Sequence, residues 1–540
     1  MKRQMFVLAL AFTALALIFG PLVPTVSSQD DGPSFEEQVE NAIVNGLAWL
    51  ADQQYEDGSW GGYGCDRVAY TGLAVLKFET RAIELGLDPM GGEFEYSSRV
   101  VNGLSYITSN AHDLAISVQP AGDPDTNGNG IGTYFNQSVC GPGHDIYNTG
   151  IAMMALAASG HPELYGDMLQ DAIDYMAWAQ ADDFCGLHRG GWRYQPDCNS
   201  DNSNSGYVTL GLGFAEAPPP FGFGLTVPQF VKDELSIWID TIQDDVDGDL
   251  NDGGSWYEPY SPWVNILKTG NLIFEMVLVG DTVGAPRLQD AVDYIERHWQ
   301  DQNVDPGWGY NVYPANYQAM FILKKGLDFA RIPLIDLDGD GTPEHDWFEE
   351  IATVIVDQQN EDGSWNWCNW GDQTLCTTWA LLALEPFVPP SPAPIDIKPG
   401  SCPNPLNVKE RGVLPVAILG LEDFDVAQVD PASVRLFRKG VADPTEVAPL
   451  RWSLEDAGIP YEPFVGKMDA HDCLEYFPDE SGVFDGYLDL SFKFKAQEVI
   501  AALGEVDDGE VLVLLLTGRL KEEFGGTSFV GEDVVVIIKK

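Results

Sequence analysis

Hydrophobic positions recur along this chain in two different periods. Between residues 36 and 54, Val39, Ile43, Leu47 and Leu50 share one face at steps of four, four and three, with acidic residues elsewhere, which predicts an amphipathic helix. The stretch 68–76 that follows is apolar almost all round, as a helix enclosed by neighbours on every side would be. The couplet returns. Outer-type segments begin near Ser97, Leu164, Pro228, Pro286 and Pro343, several with Pro in the first turn, where its missing N–H costs nothing. Inner-type segments follow at 148–158, 206–214, 271–279, 315–323 and 377–384, which predicts six helical hairpins between about 36 and 385.

Residues 386–394, with five prolines in nine positions, predict a stiff linker and a domain boundary. Beyond them the period falls to two. Leu488-Asp489-Leu490-Ser491-Phe492-Lys493-Phe494 alternates cleanly, and 413–419, 511–516 and 534–538 are strand-like, so 395–540 reads as an all-β sandwich.

One turn is written twice. Gln53-Gln54-Tyr55-Glu56-Asp57-Gly58-Ser59-Trp60 and Gln358-Gln359-Asn360-Glu361-Asp362-Gly363-Ser364-Trp365 agree at seven of eight positions, the mark of a repeat architecture. Trp192, Trp256 and Trp308 keep the same place in the third to fifth couplets, while the second has a Gly/Asn-rich insertion at 123–132 and no turn Trp. Near-identical first and sixth turns favour a ring in which those repeats are neighbours, since an open array would need polar caps.

The segment Gly46-Leu47-Ala48-Trp49-Leu50-Ala51-Asp52-Gln53-Gln54-Tyr55-Glu56-Asp57-Gly58-Ser59-Trp60 resembles the QW repeat of the squalene cyclase and protein prenyltransferase superfamily. The resemblance covers about 36–385 and implies an (α/α)6 toroid in which the Gln ties a helix end to the stacked Trp. The fold expected is therefore multidomain, an all-α toroid followed by an all-β sandwich. The family's chemistry does not follow. No cyclase Asp-x-Asp-Asp string is present, the nearest being the hydrophilic run 244–249; Asp183-Phe184-Cys185 lacks the companions of a prenyltransferase zinc site; and Gly64-Cys65-Asp66-Arg67 is no thioester motif. Asp396-Ile397-Lys398-Pro399-Gly400-Ser401 and Val413-Leu414-Pro415-Val416-Ala417-Ile418-Leu419 resemble a domain appended to many secreted bacterial and archaeal proteins.

The N-terminus changes the picture of where the protein works. Lys2 and Arg3, an apolar run from Met5 to Phe19 and a small-residue site at Val26-Ser27-Ser28 predict a signal peptide at 1–28, and no later stretch is long and apolar enough to span a bilayer. A secreted or cell-surface location is expected. There the eight cysteines read as disulfides. Cys185 with Cys198 and Cys368 with Cys376 close short loops, Cys402 and Cys473 stand alone in the C-terminal part, and Cys65 with Cys140 follow by elimination. A net charge of −54 argues against nucleic acid and anionic lipid as partners.

Candidate binding residues are aromatic. Tyr63, Tyr194, Tyr257, Tyr260, Tyr310, Trp367 and Trp370 fall in the loops joining outer to inner helices, hence at one mouth of the expected ring, where they would hold a glycan or an apolar small molecule. Asp336, Asp338, Asp340 and Glu344 stand at positions 1, 3, 5 and 9 of a calcium loop with Gly341 at 6, although Trp347 replaces the Glu at 12. Calcium is the expected cation. Shorter copies begin at Asp123 and Asp245, and Asp485 to Asp489 looks similar. The expected function is non-catalytic ligand binding at the aromatic mouth. The alternatives are a glycan hydrolase or lyase, with Asp66, Asp145, Asp201 and Asp372 as the candidate acids, or a divergent cyclase-like enzyme without the usual motifs.

Overall fold

The computed structural model describes residues 33–539 except 62–63, 138–142, 219–221, 247, 262, 302–306, 369–370, 386–390, 422–423, 440–444, 459, 462–463, 465–466, 468–469, 473–485, 505 and 522–527. The expected signal peptide lies outside the described residues. Helices alternate between two environments. In chain order they are α1 (Phe35–Asp52), α2 (Arg67–Glu84), α3 (Ser97–Ser109), α4 (Asp145–Ala158), α5 (Pro162–Ala179), α6 (Asn202–Glu216), α7 (Gln229–Ile242), α8 (Ile266–Leu278), α9 (Pro286–His298), α10 (Tyr317–Ala330), α11 (Trp347–Asp357) and α12 (Gln373–Ala383).

The even-numbered helices are buried along nearly their whole length, and the odd-numbered ones bury one face. That is what the two hydrophobic patterns require: an all-round apolar helix needs neighbours on every side, an amphipathic one on a single side. Each even helix packs on the next, and α12 packs back on α2, so the contacts run in a closed cycle. Among the odd helices α11 also returns to α1. Glycines allow these approaches. A Cβ on Gly150 would stand 2.7 Å from the Tyr207 carbonyl oxygen, and one on Gly326 2.5 Å from that of Gly270.

Three boundaries differ from expectation for local reasons. α11 starts at Trp347, not near Pro343, because Ile335 and His345 bridge across the acidic loop and Asp346 caps the helix by accepting from the Glu349 N–H at 2.9 Å. The second couplet carries an unforeseen hairpin, β1 (Ala111–Ala115) with β2 (Ile131–Phe135), on either side of the Gly/Asn-rich insertion. The stretch 386–394 is not a free spacer throughout: Ser391–Pro392 form β3, paired in parallel with Phe529 and Val530.

A second core, separate from the helical one, is built on sheets. β4 (Ile395–Ile397), β6 (Val413–Ile418), β9 (Asp489–Lys495) and β8 (Arg451–Glu455) form a four-stranded sheet in that order, antiparallel throughout. In the other sheet β10 (Val511–Leu520) lies between β7 (Val429–Arg438) and β11 (Ser528–Ile538), and β11 also takes β3 and β5 (Pro405–Asn407) in parallel along its free edge. One short helix, α13 (Ala496–Ala502), was not foreseen. The protein is thus mixed, helical first and sheet-built after.

Two expected disulfides are formed, Cys185–Cys198 and Cys368–Cys376, which removes the zinc alternative at Cys185. Cys65 and Cys402 are also disulfide-bonded; their expected partners Cys140 and Cys473 lie outside the described residues. Among the described residues no helix is long and apolar enough to cross a membrane.

Candidate binding cavity at the inner helix N-termini

The repeated turn fixes how each outer helix hands over to its inner partner. Trp60 donates from its indole to the Leu50 carbonyl at the end of α1, and Trp192, Trp308 and Trp365 do the same to Met176, Trp299 and Ile355, all at 2.7–2.9 Å. The Trp60 and Trp365 backbone N–H groups donate to Thr71 and Thr377 of the inner helices, both at 3.0 Å. Phe135 takes this place in the second couplet, donating to Thr149 at 2.8 Å. In the fourth couplet the place belongs to Ser255, whose N–H donates to Thr269 at 3.1 Å. Trp256 therefore sits one residue late, and its indole reaches the Asp244 carboxylate at 2.9 Å. Its expected role as that turn's helix-end Trp is corrected.

Glutamine links neighbouring repeats. Gln54 Nε2 bridges the Gly58 carbonyl and that of Arg99 in α3, both at 2.9 Å. Gln180 and Gln243 make the equivalent bridges to Val231 in α7 and Arg287 in α9. Gly58 is required twice over, by its φ of +88° and because a Cβ there would lie 2.3 Å from the Asn102 carbonyl oxygen of α3.

These turns deliver the N-termini of all six inner helices to one cavity of about 390 Å³. Four of those helices are capped in the ordinary way: Asp201, Asn265, Asn316 and Asp372 accept from backbone N–H groups three residues on, at 2.8–3.1 Å. The other two are not. Asp66 and His144 stand at the N-cap positions of α2 and α4 without capping them; instead Asp66 Oδ1 lies 2.6 Å from His144 Nδ1 on the cavity wall.

Aromatic rings cover much of the remaining wall. His144, Tyr194, Tyr147 and Tyr207 form a chain of ring contacts with centroids 4.8–6.1 Å apart, and Tyr257 meets Trp263 at 5.4 Å. Tyr194 and Tyr257 are held by their carbonyls, which accept from Ile146 and Asn202 at the starts of α4 and α6. Burial pushes the phenols of Tyr70 and Tyr257 up to about 12 and those of Tyr147 and Tyr194 upward as well, so all four remain protonated at neutral pH. They are hydrogen-bonding groups there, not bases. Lys268, in the first turn of α8 and 2% exposed, places Nζ 3.4 Å from the centroid of the Trp263 ring. Asn202, Ser203, Asn265 and Gln318 add uncharged polar groups.

Of the seven aromatic residues expected at the mouth, Tyr194 and Tyr257 line this cavity. Tyr260 is 70% exposed against Trp256, Tyr310 packs on Trp308, and Trp367 is 67% exposed; none of these three is on the cavity wall. Tyr63 and Trp370 lie outside the described residues. Tyr70, Tyr207 and Trp379 were missed because they sit inside segments read only as buried helix, and Tyr147 and Lys268 because they stand just before segments taken to begin at 148 and 271. The available signal was a polar or aromatic residue a few positions after each helix start in an otherwise apolar run.

Of the four candidate acids, one is on the cavity wall. Asp66 lines the cavity, whereas Asp201 is fully buried, caps α6 and pairs with Arg193 at 2.5 Å. Asp145 is buried and accepts from the Asn136 side chain, and burial pushes its carboxyl upward. Asp372 accepts from the Leu375 N–H as the cap of α12.

One carboxylate oxygen from each of Asp336, Asp338, Asp340 and Glu344 lies within 4.8 Å of the others. Backbone N–H groups of Gly339 and Gly341 donate to the two oxygens of Asp336, each at 2.7 Å, and hold that carboxyl below its ordinary range. The insertion in the second couplet repeats this pattern with Gly128 and Gly130 donating to Asp125 at 2.9 Å. Its first position is thus Asp125, two residues later than the spacing from Asp123 suggested. In the β region Asp489 accepts from the N–H groups of Gly420, Ala457 and Gly458, while Asp485, the first residue of the similar segment, lies outside the described residues. Compared with known proteins, the chain matches no family model and no curated sequence.

Proposed function

We propose that this chain is a secreted or cell-surface binding protein, an (α/α)6 toroid of the squalene cyclase and prenyltransferase type at about 36–385 joined to a β-sandwich at 395–540, and that it holds a glycan in the cavity at the inner helix N-termini. The closed cycle of helix contacts and the Gln–Gly–Trp turns support the toroid, and the two sheets around one core support the sandwich. The formed disulfides support an oxidising location.

One observation carries the ligand class: aromatic rings alternate on the cavity wall with Asp66, His144, Ser203 and Gln318. A sugar offers apolar faces to the former and hydroxyls to the latter, while a wholly apolar ligand would leave these polar groups desolvated. A two-carboxylate hydrolase has less support, since Asp145 and Asp201 are taken up in buried bonds. A calorimetric screen of mono- and oligosaccharides tests the reading. Tyr194→Ala and Tyr257→Ala are expected to weaken binding about tenfold or more, and Trp367→Ala, off the wall, to leave it unchanged. A screen in which no sugar binds, or in which Trp367→Ala alone matters, refutes it.

Calcium is proposed separately for the loop 336–344, on the strength of its ligand spacing and the convergence of its four carboxylates. Asp125, Asn127 and Asn129 are the corresponding side chains of the second loop.

A further inference from the structure

The edges of the two sheets are guarded in different ways. β4 is buried at every position, β11 carries β3 and β5 along its side, and β7 bridges to Val447 through Leu436. The edge of β8 is open. Among the described residues β9 is its one strand partner, and Arg451, Trp452, Ser453, Leu454 and Glu455 are all exposed. A bare edge is a template for another strand, which natural sheets blunt with Lys, Pro or a bulge. β8 has neither Lys nor Pro, and its pairing with β9 runs without a register shift. In that register Trp452 and Leu454 stand opposite Phe492 and Leu490, so they lie on the core-facing side of the sheet. Phe492 and Leu490 are 0 and 3% exposed, Trp452 and Leu454 50 and 51%. The charges are set against their neighbours. Arg451 stands opposite Lys493 and Glu455 opposite Asp489, like beside like, and neither Arg451 nor Glu455 has an ion-pair partner among the described residues.

We propose that a second copy of this chain covers this edge: the two β8 strands pair antiparallel about a two-fold axis through Ser453 and join their sheets into one. The strand is self-complementary in that register. Arg451 of each copy meets Glu455 of the other and Trp452 meets Leu454, so both charges gain an opposite partner and the apolar strip continues across the axis. Sliding to the next register that keeps each face on its own side puts either Arg451 or Glu455 opposite Ser453 and matches neither charge. The contact uses up both edges, so assembly stops at the pair. At about 0.15 M salt the Debye length is about 8 Å, which screens the long-range repulsion between two copies of net charge −54.

The test is sedimentation equilibrium of the full secreted chain at that salt over a concentration series. The mass should pass from one copy to two and rise no further. Arg451→Glu and Glu455→Arg each set like charges opposite one another across the axis, and each should weaken dimerisation about tenfold or more. Mixing the two variants in equal amounts brings opposite charges together again at both positions and should restore the dimer, as should both exchanges made in one chain. If a single variant does not fold, the concentration series on the unaltered chain still decides, with Trp452→Glu expected to abolish the dimer. A monomer at every concentration, which would leave the edge to another occupant, overturns the inference. So does growth beyond two copies, a dimer indifferent to both charge reversals, or one weakened by them and not restored on mixing.

Discussion

Gln359, at the end of the sixth outer helix, donates its side-chain amide to the carbonyl of Ala42 in the first at 2.8 Å. The two residues are 317 positions apart, yet the bond has the form of the bridge Gln54 makes to its neighbour Arg99. Closure of the helical cycle is therefore made with the same contact as every other step for which the bridge is present. Gln359→Ala removes this bond and the one to Gly363, and is expected to cost about 1–3 kcal/mol of unfolding free energy. Gly363→Ala should cost at least as much, because its φ is +90° and a Cβ would stand 2.4 Å from the Asn45 carbonyl oxygen. Denaturant titration of both checks this; unchanged midpoints would mean that the first and last repeats do not depend on each other.

If the loop 336–344 takes calcium, chelation lowers the melting temperature and added calcium restores it, because a ligand bound only by the native state stabilises that state. Asp336→Asn should abolish the response. A melt indifferent to both chelator and calcium, with no heat on titration, ends the proposal for this loop.

Lys325 is fully buried, 3.7 Å from Glu385 and close to the faces of Phe214 and Phe321. Burial pulls its ammonium down to about 8, against the opposing pull of Glu385. Between about 8 and the ordinary lysine value of 10.5, the unfolded chain then holds more protons than the native one, so this group makes stability rise with pH across that window. Lys325→Met should lack the rise. The check is the difference between the two stability–pH curves, and a flat difference from pH 8 to 10.5 would sink the assignment.

The Cys185–Cys198 bond closes a loop with a sequence separation of 13 that includes Arg189, which pairs with Glu234 of α7 at 2.6 Å. Replacing both cysteines by Ala is expected to lower stability by about 3 kcal/mol, the loop-closure estimate for this size. Guanidinium titration of the double variant measures it, and an unchanged midpoint would show that this loop is held by its other contacts.

What the sequence determined by itself was whatever depends on local period and spacing. Val39, Ile43, Leu47 and Leu50 mark one helical face, Val68 to Leu76 a buried partner, and the twice-written turn a repeat, because the i, i+3, i+4 spacing and the Gly-dependent turn are properties of short segments. Cys185–Cys198, Cys368–Cys376 and the Asp336–Glu344 loop were legible for the same reason. Of the cavity, Tyr194 and Tyr257 could be named in advance, since both fall in the loops that join an outer helix to its inner partner. Even there identity misled: Trp256 looked like the turn residue, and only the Ser255–Thr269 bond gives the register. Tertiary structure decided the rest. A Tyr, Trp or Lys inside an apolar helix has no direction until that helix is rotated against its neighbours, so Tyr147, Tyr207, Trp379 and Lys268 became wall residues only when the inner helices packed in a cycle. In the sequence Asp66 is one of four candidate acids and His144 belongs to no motif. They become a pair 2.6 Å apart because α2 packs on α4, and Lys268 joins the wall of the same cavity from a third helix, α8.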